Sequence, residues 1–332
     1  MMSSSDTHTG AGGELAQSRL DGKVVRGKDG WLFLDNDSNL VMSQHSGKLR
    51  FSAEQLRQWR FLLENRIAWL ERRGALYFFL VAPNPHSVYP DKLPDGSGTG
   101  ESRPILQLVK YLESEGSFAR IIYPLEELAK ERSRLVFSRT ETHWTELGAF
   151  VAYRRLMAEI NASNSVPVLS EDDLSMEERS WTGDLGLKIE PPESSTSVYV
   201  TVRHPKAQFV SDNRVYNLGR RIEYRCDAAP PTRCLVFGDS FSTRLLPYLA
   251  EGFARLVFAH VPTLDYELVE REQADIVICV MNERFLISVP NDVSGTTLEQ
   301  LGDNKIAAGQ LYPPRAATGN RVDSPEVGFE AG

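Results

Sequence analysis

The stretch CLVFGDSFS, residues 234–242, decides the fold and the candidate site of this 332-residue chain. Its first part, Cys234–Phe237, is a continuous apolar run, which is typical of a strand buried on both faces of a parallel sheet. The Gly-Asp-Ser turn that follows leads into a predicted helix. Ser240 therefore stands at the carboxyl end of a strand, where the N–H groups of Ser240 and Phe241 can bind an oxyanion. The alternative is that Ser240 or Ser242 only caps the helix.

The same strand-and-helix pattern recurs on both sides of this stretch. Ser52 begins a capping box and a helix that we expect to end at Gly74, and the apolar run 75–82 after it predicts a second buried strand. This alternation indicates an α/β fold, with a parallel sheet between helices on both faces in three layers. Further strands are expected at 120–123, 135–137, 255–260 and 276–281, and further helices at 101–115, 125–131, 146–160, 242–251 and 265–273. Between about 169 and 230 the pattern breaks, and we expect antiparallel strands or an irregular insertion there.

Composition sets the domain limits and excludes several partners. Residues 1–20 and 289–332 are rich in small and polar residues, so we expect flexible tails around one folded body at 21–288. The chain carries 37 Lys+Arg against 45 Asp+Glu, and this net charge of −8 argues against a nucleic-acid-binding surface. No apolar run reaches the ~20 residues of a membrane span, and no secretory signal is visible. The sequence as given thus predicts a cytoplasmic protein that does not span a membrane.

A serine nucleophile needs a base, and His143 is the histidine best placed to supply it. It lies in the segment TETHWT, residues 140–145, just before a predicted helix and therefore at the same edge of the sheet as Ser240. Glu141, two residues earlier, can accept the Nδ1 proton and leave Nε2 to face the serine. The alternative is that Glu141 and His143 are solvated loop residues packed over Trp144.

These residues resemble a known family. Gly238-Asp239-Ser240-Phe241 resembles the first block of the SGNH/GDSL hydrolases, and the segment ETHW at 141–144 resembles the Asp-x-His-Trp block of the AlgX/AlgJ alginate O-acetyltransferase branch. In that branch the acid and histidine precede the serine, as they do here, whereas ordinary SGNH enzymes have the serine first. Further blocks match at GKDGWLF (27–33), VAPNPHSVYP (81–90), GDL (183–185) and NER (282–284). The branch usually carries Asp at the position of Glu141.

The resemblance implies an SGNH-like, flavodoxin-like fold with a circularly permuted motif order. It also implies acetyl transfer through an acyl-serine, in which Ser240 attacks, His143 takes the proton and Glu141 orients His143. The acceptor would be a carbohydrate hydroxyl, and the donor a small ester or an acetyl-carrying partner protein. Members of the branch are exported, which would suggest the periplasm. Two alternatives stay open: an esterase using the same three residues, and a catalytically silent glycan-binding relative.

Secondary candidates lie beside the serine or after other strand ends. We expect an extra oxyanion donor, a clamp for a substrate carboxylate or a stacking surface for a sugar among Gly238, Phe241, Asn84, Asn282, Arg284 and Trp144. The alternatives are that Asn84 is a turn residue, that Arg284 pairs with Glu283 or a surface acid, and that Trp144 is a core residue. The spacing of metal ligands and the Gly-rich loops of nucleotide sites are both missing from the sequence, so no metal or cofactor is predicted.

Overall fold

The computed structural model describes residues 23–313 and contains helices and strands in alternation. The strands are β1 (Val24–Arg26), β2 (Leu32–Leu34), β3 (Leu76–Ala82), β4 (Ile121–Ile122), β5 (Leu174–Trp181), β6 (Ser195–Val202), β7 (Gln208–Asp212), β8 (Arg221–Arg225), β9 (Arg233–Gly238), β10 (Arg255–Ala259) and β11 (Ile276–Asn282). The α-helices are α1 (Val41–His45), α2 (Ala53–Glu71), α3 (Pro85–Val88), α4 (Pro104–Ser114), α5 (Leu125–Lys130), α6 (Glu146–Ile160), α7 (Leu246–Leu249), α8 (Tyr266–Glu272) and α9 (Leu298–Ala307).

The central sheet has seven strands in the order β4-β3-β11-β9-β10-β8-β7. Its first five strands are parallel, and β8 and β7 extend it in antiparallel pairing at one edge. The predicted α/β fold with helices on both faces is therefore confirmed. The sheet is mixed rather than wholly parallel, however, because part of the predicted insertion belongs to it.

Alternate side chains of the central strands enter two separate cores. In β9, Cys234 and Val236 join the core that α6 covers, while Leu235 and Phe237 join the core under α2. All seven residues of β11 are buried. This two-sided burial is what an uninterrupted apolar run in a parallel strand requires. It also fixes which strand ends lie side by side, since Asn282 pairs with Ala82 and Val280 with Gly238.

Two local predictions are wrong. Residues 135–137 form no strand but a single bridge between Phe137 and Trp144. The predicted helix 242–251 is broken into a 3₁₀ turn at Ser240–Arg244, the short α7 and a second 3₁₀ turn at Ala250–Gly252, with Pro247 in the first turn of α7. The expected antiparallel strands at 169–230 are present: β5 and β6 form a separate ribbon, while β7 and β8 extend the central sheet.

The expected tail from residue 289 is also wrong up to residue 313. This stretch contains helix α9, which begins with a capping box formed by Thr297 and Gln300. Before it, Asp292 accepts two hydrogen bonds of 2.7 Å from the guanidinium of Arg66 on α2, and both side chains are almost fully buried. A local composition typical of tails cannot reveal an ion pair with a distant helix. The predicted tail at 1–20, like residues 314–332, lies outside the described part of the chain.

Asp292→Asn is expected to lower the free energy of unfolding by about 3 kcal/mol or more, because it leaves the buried Arg66 charge without its partner. Urea or thermal denaturation measures the change. Glu54→Gln, which breaks the exposed ion pair with Arg57 on the same helix α2, is the matched control and should leave the free energy of unfolding almost unchanged. Equal stabilities of the two variants would contradict this role for Asp292.

Between residues 23 and 313, none of the helices is both long and apolar enough to cross a lipid bilayer.

Candidate active site

Ser240 is held at the carboxyl end of β9 by a tightly packed turn. A Cβ atom at Gly238 would lie 2.2 Å from Ser242 Oγ and 2.7 Å from the carbonyl oxygen of Val280, so only glycine fits there. The Asp239 carboxylate accepts hydrogen bonds from the backbone N–H groups of Phe241 (2.9 Å) and Asn282 (2.6 Å). The turn is therefore fastened both to itself and to the neighbouring strand β11.

His143 reaches Ser240 from the loop before α6. Thr145 caps that helix by accepting a hydrogen bond from the Gly148 N–H, which fixes where the loop ends. His143 Nε2 lies 2.8 Å from Ser240 Oγ, and Nδ1 lies 2.6 Å from Glu141 Oε1. Because a carboxylate only accepts, Nδ1 carries the proton and Nε2 is left to accept from the serine hydroxyl. The imidazole packs 4.8 Å from the Phe241 ring, centroid to centroid.

Glu141 is buried, and both of its carboxylate oxygens are occupied. Oε1 accepts from His143, while Oε2 accepts from Trp181 Nε1 at 3.1 Å and from the Asp184 backbone N–H at 3.4 Å. Burial alone raises the pKa of Glu141, but the hydrogen bond and charge of His143, the charge of Arg244 and the Trp181 hydrogen bond hold that pKa well below its usual range. Trp181 and Asp184 thus anchor the far oxygen of a side chain that is one methylene longer than Asp.

Asp184 lies beside this carboxylate as a second acid. It accepts hydrogen bonds from the backbone N–H of Thr142 at 2.7 Å and from its hydroxyl at 2.6 Å. Burial, followed by the charge of Glu141, raises the pKa of Asp184. Glu141, His143 and Asp184 present ligand-type atoms within 4.8 Å of one another. A cation bound by all three would have to break the short His143–Glu141 hydrogen bond.

Ser240 and His143 open into a cavity of about 520 Å³. Its apolar wall includes Val280, Met281 and Phe285, and Arg284 lines it as well. His260 also faces the cavity, where burial and the charges of Arg220, Lys305 and His143 lower its pKa to about 3. The cavity therefore combines an apolar wall with a hydrogen-bonded Ser–His–Glu arrangement at its base.

Comparison with known proteins places this arrangement in a family. Residues 24–261 match the family described as "SGNH hydrolase-like domain, acetyltransferase AlgX". The chain belongs to this family. Over 170 residues it is 31% identical to a probable alginate O-acetylase AlgJ of Pseudomonas aeruginosa, a stretch covering 49% of this chain and 40% of that protein. The chain thus matches less than half the length of this relative.

Two solved structures share the fold of this chain. Bacillus cereus PatB1 with a sulfonyl adduct superposes with a TM-score of 0.61 at 16% identity, covering 79% of this chain and 97% of that one. The O-acetyltransferase domain of Pseudomonas putida AlgJ superposes with a TM-score of 0.54 at 18% identity, covering 85% of this chain and 99% of that one. At these identities the likeness establishes the SGNH-like fold.

The AlgX-family fold brings some of the predicted secondary residues to the cavity and not others. Gly238 and Arg284 line it. Phe241 packs beneath His143, but its N–H is taken up by Asp239 and is not available as an oxyanion donor. The prediction for Trp144 as a sugar-stacking residue is wrong, since its side chain is fully buried and donates from Nε1 to the Phe241 carbonyl.

The two asparagines predicted as oxyanion donors do not line the cavity in this AlgX-family domain. Asn282 is fully buried, donating from Nδ2 to the Ala82 carbonyl and accepting at Oδ1 from the Arg284 N–H. Asn84 lies behind the strand ends in a small separate pocket near Arg103 and Glu283. Both follow strand ends as predicted, yet the Asn282 side chain bonds to backbone groups, and Asn84 Oδ1 is buried without a hydrogen-bond partner among the described residues.

Sequence reasoning missed Trp181 and Asp184 as neighbours of Glu141. Asp184 stands in the GDL block already matched to the AlgX family, so that block was a usable signal. Trp181 ends strand β5, 40 residues after Glu141, and nothing in the local pattern marks it. Gly183 lets the chain before Asp184 pass close to the segment that carries Glu141, because a Cβ atom at Gly183 would lie 2.2 Å from the Thr140 carbonyl oxygen.

Proposed function

We propose that this chain transfers an acetyl group from an ester donor to a carbohydrate hydroxyl through an acetyl-serine at Ser240. The observation that carries the proposal is the 2.8 Å contact between Ser240 Oγ and His143 Nε2, with Nδ1 of the same ring held 2.6 Å from Glu141. This is the arrangement that activates a serine for attack on a carbonyl carbon. It is also the contact that a catalytically silent relative would not need to keep.

The first half of the reaction acetylates the enzyme. Ser240 Oγ attacks the acetyl carbonyl while His143 Nε2 takes the hydroxyl proton, and the resulting imidazolium is stabilised by Glu141. The negative charge on the carbonyl oxygen needs donors, and the N–H of Ser240 is the first of its 3₁₀ turn and has no acceptor within that turn. The intermediate then collapses, and His143 gives its proton to the departing alcohol or thiol of the donor.

The second half transfers the acetyl group to the acceptor. A sugar hydroxyl gives its proton to His143 as its oxygen attacks the acetyl carbonyl, and the ester bond to Ser240 breaks with return of the proton to Oγ. The acceptor would occupy the cavity of about 520 Å³ above the serine. Water in the same position would make the chain an esterase.

The proposal extends to the acetyl donor, the acceptor and the cellular compartment. The donor is a small ester or an acetyl-carrying partner protein, and the acceptor is a polysaccharide like the one named for the AlgJ relatives. The cytoplasmic location stays a prediction from the sequence as given, with the periplasm as the alternative implied by the family resemblance.

Intact-protein and peptide mass spectrometry after incubation with p-nitrophenyl acetate tests the acetyl-serine directly. We expect one added acetyl group on the peptide that contains Ser240, and none there in Ser240→Ala. Acceptor oligosaccharide added to the acetylated protein should remove the group and carry it as a sugar ester. Turnover of the ester without any acetyl group ever detected on Ser240 would contradict the proposal, whereas release of only free acetate would favour the esterase.

Trp181→Phe is expected to lower kcat about 10-fold and to change KM little. The variant removes one hydrogen bond to a charged carboxylate, worth about 1.5 kcal/mol, and lets Glu141 turn away from His143. Trp181 would act as a positioning residue, so the effect should fall on kcat and not on binding. Trp69→Phe, a change on the outer helix α2, is the matched control with wild-type kinetics. A folded Trp181→Phe with unchanged kcat would show that the far oxygen of Glu141 needs no anchor.

A further inference from the structure

His260 is a second histidine at the cavity, and the acetyl transfer proposed for Ser240 does not use it. It follows strand β10 directly, and β10 lies next to β9 in the central sheet. Because Ala259 pairs with Phe237 in the parallel register, His260 stands at the level of Gly238, where the turn to Ser240 begins. The sheet therefore places His260 beside the turn that carries the nucleophile.

The side chain of His260 lies on the face of the sheet from which His143 approaches. Phe258, two residues earlier, belongs to the core that α6 covers, and its ring centroid is 5.8 Å from that of His260. His143 reaches the cavity from the loop just before the same helix. A substrate that approaches Ser240 from the cavity thus meets both imidazoles.

The backbone of His260 is fastened to the turn at residues 217–220. Its N–H donates to the Arg220 carbonyl at 2.9 Å, and its carbonyl accepts from the Gly219 N–H at 3.0 Å. Gly219 has a φ of +94°, and a Cβ atom there would lie 2.8 Å from the backbone nitrogen of Gly302 on α9. Because only glycine fits at this contact, the support of His260 is rigid, and little freedom remains to be lost when a ligand binds.

Two cations near His260 keep its imidazole neutral. One is Arg220, which forms a buried ion pair with Asp212, and the other is Lys305 on α9. Burial and these two charges, together with that of His143, lower the pKa of His260 to about 3. A group with so low a pKa is a poor general base at neutral pH. It also adds no positive charge beside the imidazolium that forms on His143 during the reaction.

Neither nitrogen of the His260 ring has a hydrogen-bond partner among residues 23–313, although only 8% of the residue is exposed. Polar groups buried to this extent normally have such a partner, and here a ligand in the cavity can supply it. A neutral imidazole donates from one nitrogen and accepts at the other. A hydroxyl group can pair with either nitrogen, and a sugar presents several hydroxyls side by side.

We propose that His260 binds a hydroxyl group of the acceptor sugar other than the one that is acetylated. The inference rests on the proposed acetyl transfer through Ser240, because it assigns a binding residue to the acceptor of that reaction. The acetyl group itself carries no hydroxyl for His260 to bind. Transfer to a sugar should therefore depend on His260 more strongly than hydrolysis of a simple acetyl ester does.

Long-range ¹H–¹⁵N spectra of the histidine rings detect this contact without turnover, in the Ser240→Ala variant of the whole chain. An alginate oligosaccharide is the probe, since alginate is the polymer named for the AlgJ relatives. We expect titration with the oligosaccharide to shift the ring ¹⁵N signals of His260 and to leave those of the exposed His204 unchanged. Unchanged His260 signals at saturating oligosaccharide would overturn the proposal.

His260→Phe removes both ring nitrogens and keeps an aromatic side chain. We expect it to lower kcat/KM for acetyl transfer to the alginate oligosaccharide about 10-fold, mainly through KM, as for the loss of one uncharged hydrogen bond. Hydrolysis of p-nitrophenyl acetate should stay within about 2-fold of wild type. His260→Gln, whose amide also donates and accepts, should recover part of the transfer. His204→Phe is the matched control and should have wild-type kinetics.

The outcomes separate this inference from the acetyl transfer on which it rests. If acetylated Ser240 forms but folded His260→Phe transfers the group as fast as wild type, the role of His260 is overturned and the acetyl-serine stands. Equal losses of hydrolysis and transfer would also overturn it, and would make His260 an oxyanion donor. If no acetyl group forms on wild-type Ser240, the proposed function itself fails. Thermal midpoints confirm folding, and His260→Gln and the spectra decide if His260→Phe does not fold.

Discussion

Ser240→Ala is expected to lower kcat for acetyl-ester turnover by ~10⁴-fold or more, leaving only what the cavity and its donors contribute without a nucleophile. The reason is geometric, because Ser240 Oγ is the hydroxyl within 2.8 Å of His143 Nε2. Hydrolysis of p-nitrophenyl acetate and transfer to an oligosaccharide should fall together. Labelling by a serine-directed fluorophosphonate should disappear as well.

Ser242→Ala provides the matched control for that loss. Ser242 lies two residues further along the same turn, but its hydroxyl is buried and has no hydrogen-bond partner among the described residues. Its removal should leave turnover within a few-fold of wild type. Near-wild-type activity in Ser240→Ala, or an equal loss in both variants, would rule out Ser240 as the nucleophile.

Glu141→Gln is expected to lower kcat by about 10³- to 10⁴-fold, although it changes neither size nor shape. Glu141 is surrounded by donors on both sides, with His143 N–H groups at Oε1 and the Trp181 and Asp184 N–H groups at Oε2. An amide places its own NH₂ toward one of these sets. Facing His143, it forces the proton onto Nε2 and removes the base; facing Trp181, it leaves opposed N–H groups unpaired.

Glu141→Asp tests the length of the side chain separately from its charge. It keeps the carboxylate but cannot touch His143 and Trp181 at once, so we expect a smaller loss of about 10- to 100-fold. Steady-state kinetics on both variants, with thermal midpoints to confirm folding, make the comparison. A Glu141→Gln variant as active as Glu141→Asp would show that Glu141 does not set the tautomer of His143.

The parts of the fold that the sequence predicts are those with local causes. Strands β3, β9 and β11 are apolar runs because both faces are buried, and α2 is marked by its capping box at Ser52. Strands β7 and β8 belong to the central sheet because β8 pairs with β10 and β7 pairs with β8, and no local pattern records this pairing. The same holds for the segment after β11, whose anchor on Arg66 is 226 residues away from Asp292.

The residues of the candidate site likewise fall into those that a local pattern predicts and those that depend on the finished fold. Ser240, His143 and Glu141 were identified because each stands in a short block whose backbone turn dictates where the side chain points. Asn84 and Asn282 failed because a position after a strand end does not determine which way an amide turns. Trp181 was missed because it contacts Glu141 only through the β5–β6 ribbon, whose placement depends on the finished fold.

The segment after β11 has a consequence for how the protein loses activity on heating. Ser288 and Pro290 line the cavity, and Asp292 fastens them to α2. If the Arg66–Asp292 contact opens, this wall can swing out while the parallel strands stay paired, because local opening requires less free energy than unfolding the sheet. We therefore expect inactivation on warming to precede loss of secondary structure when this contact is weakened.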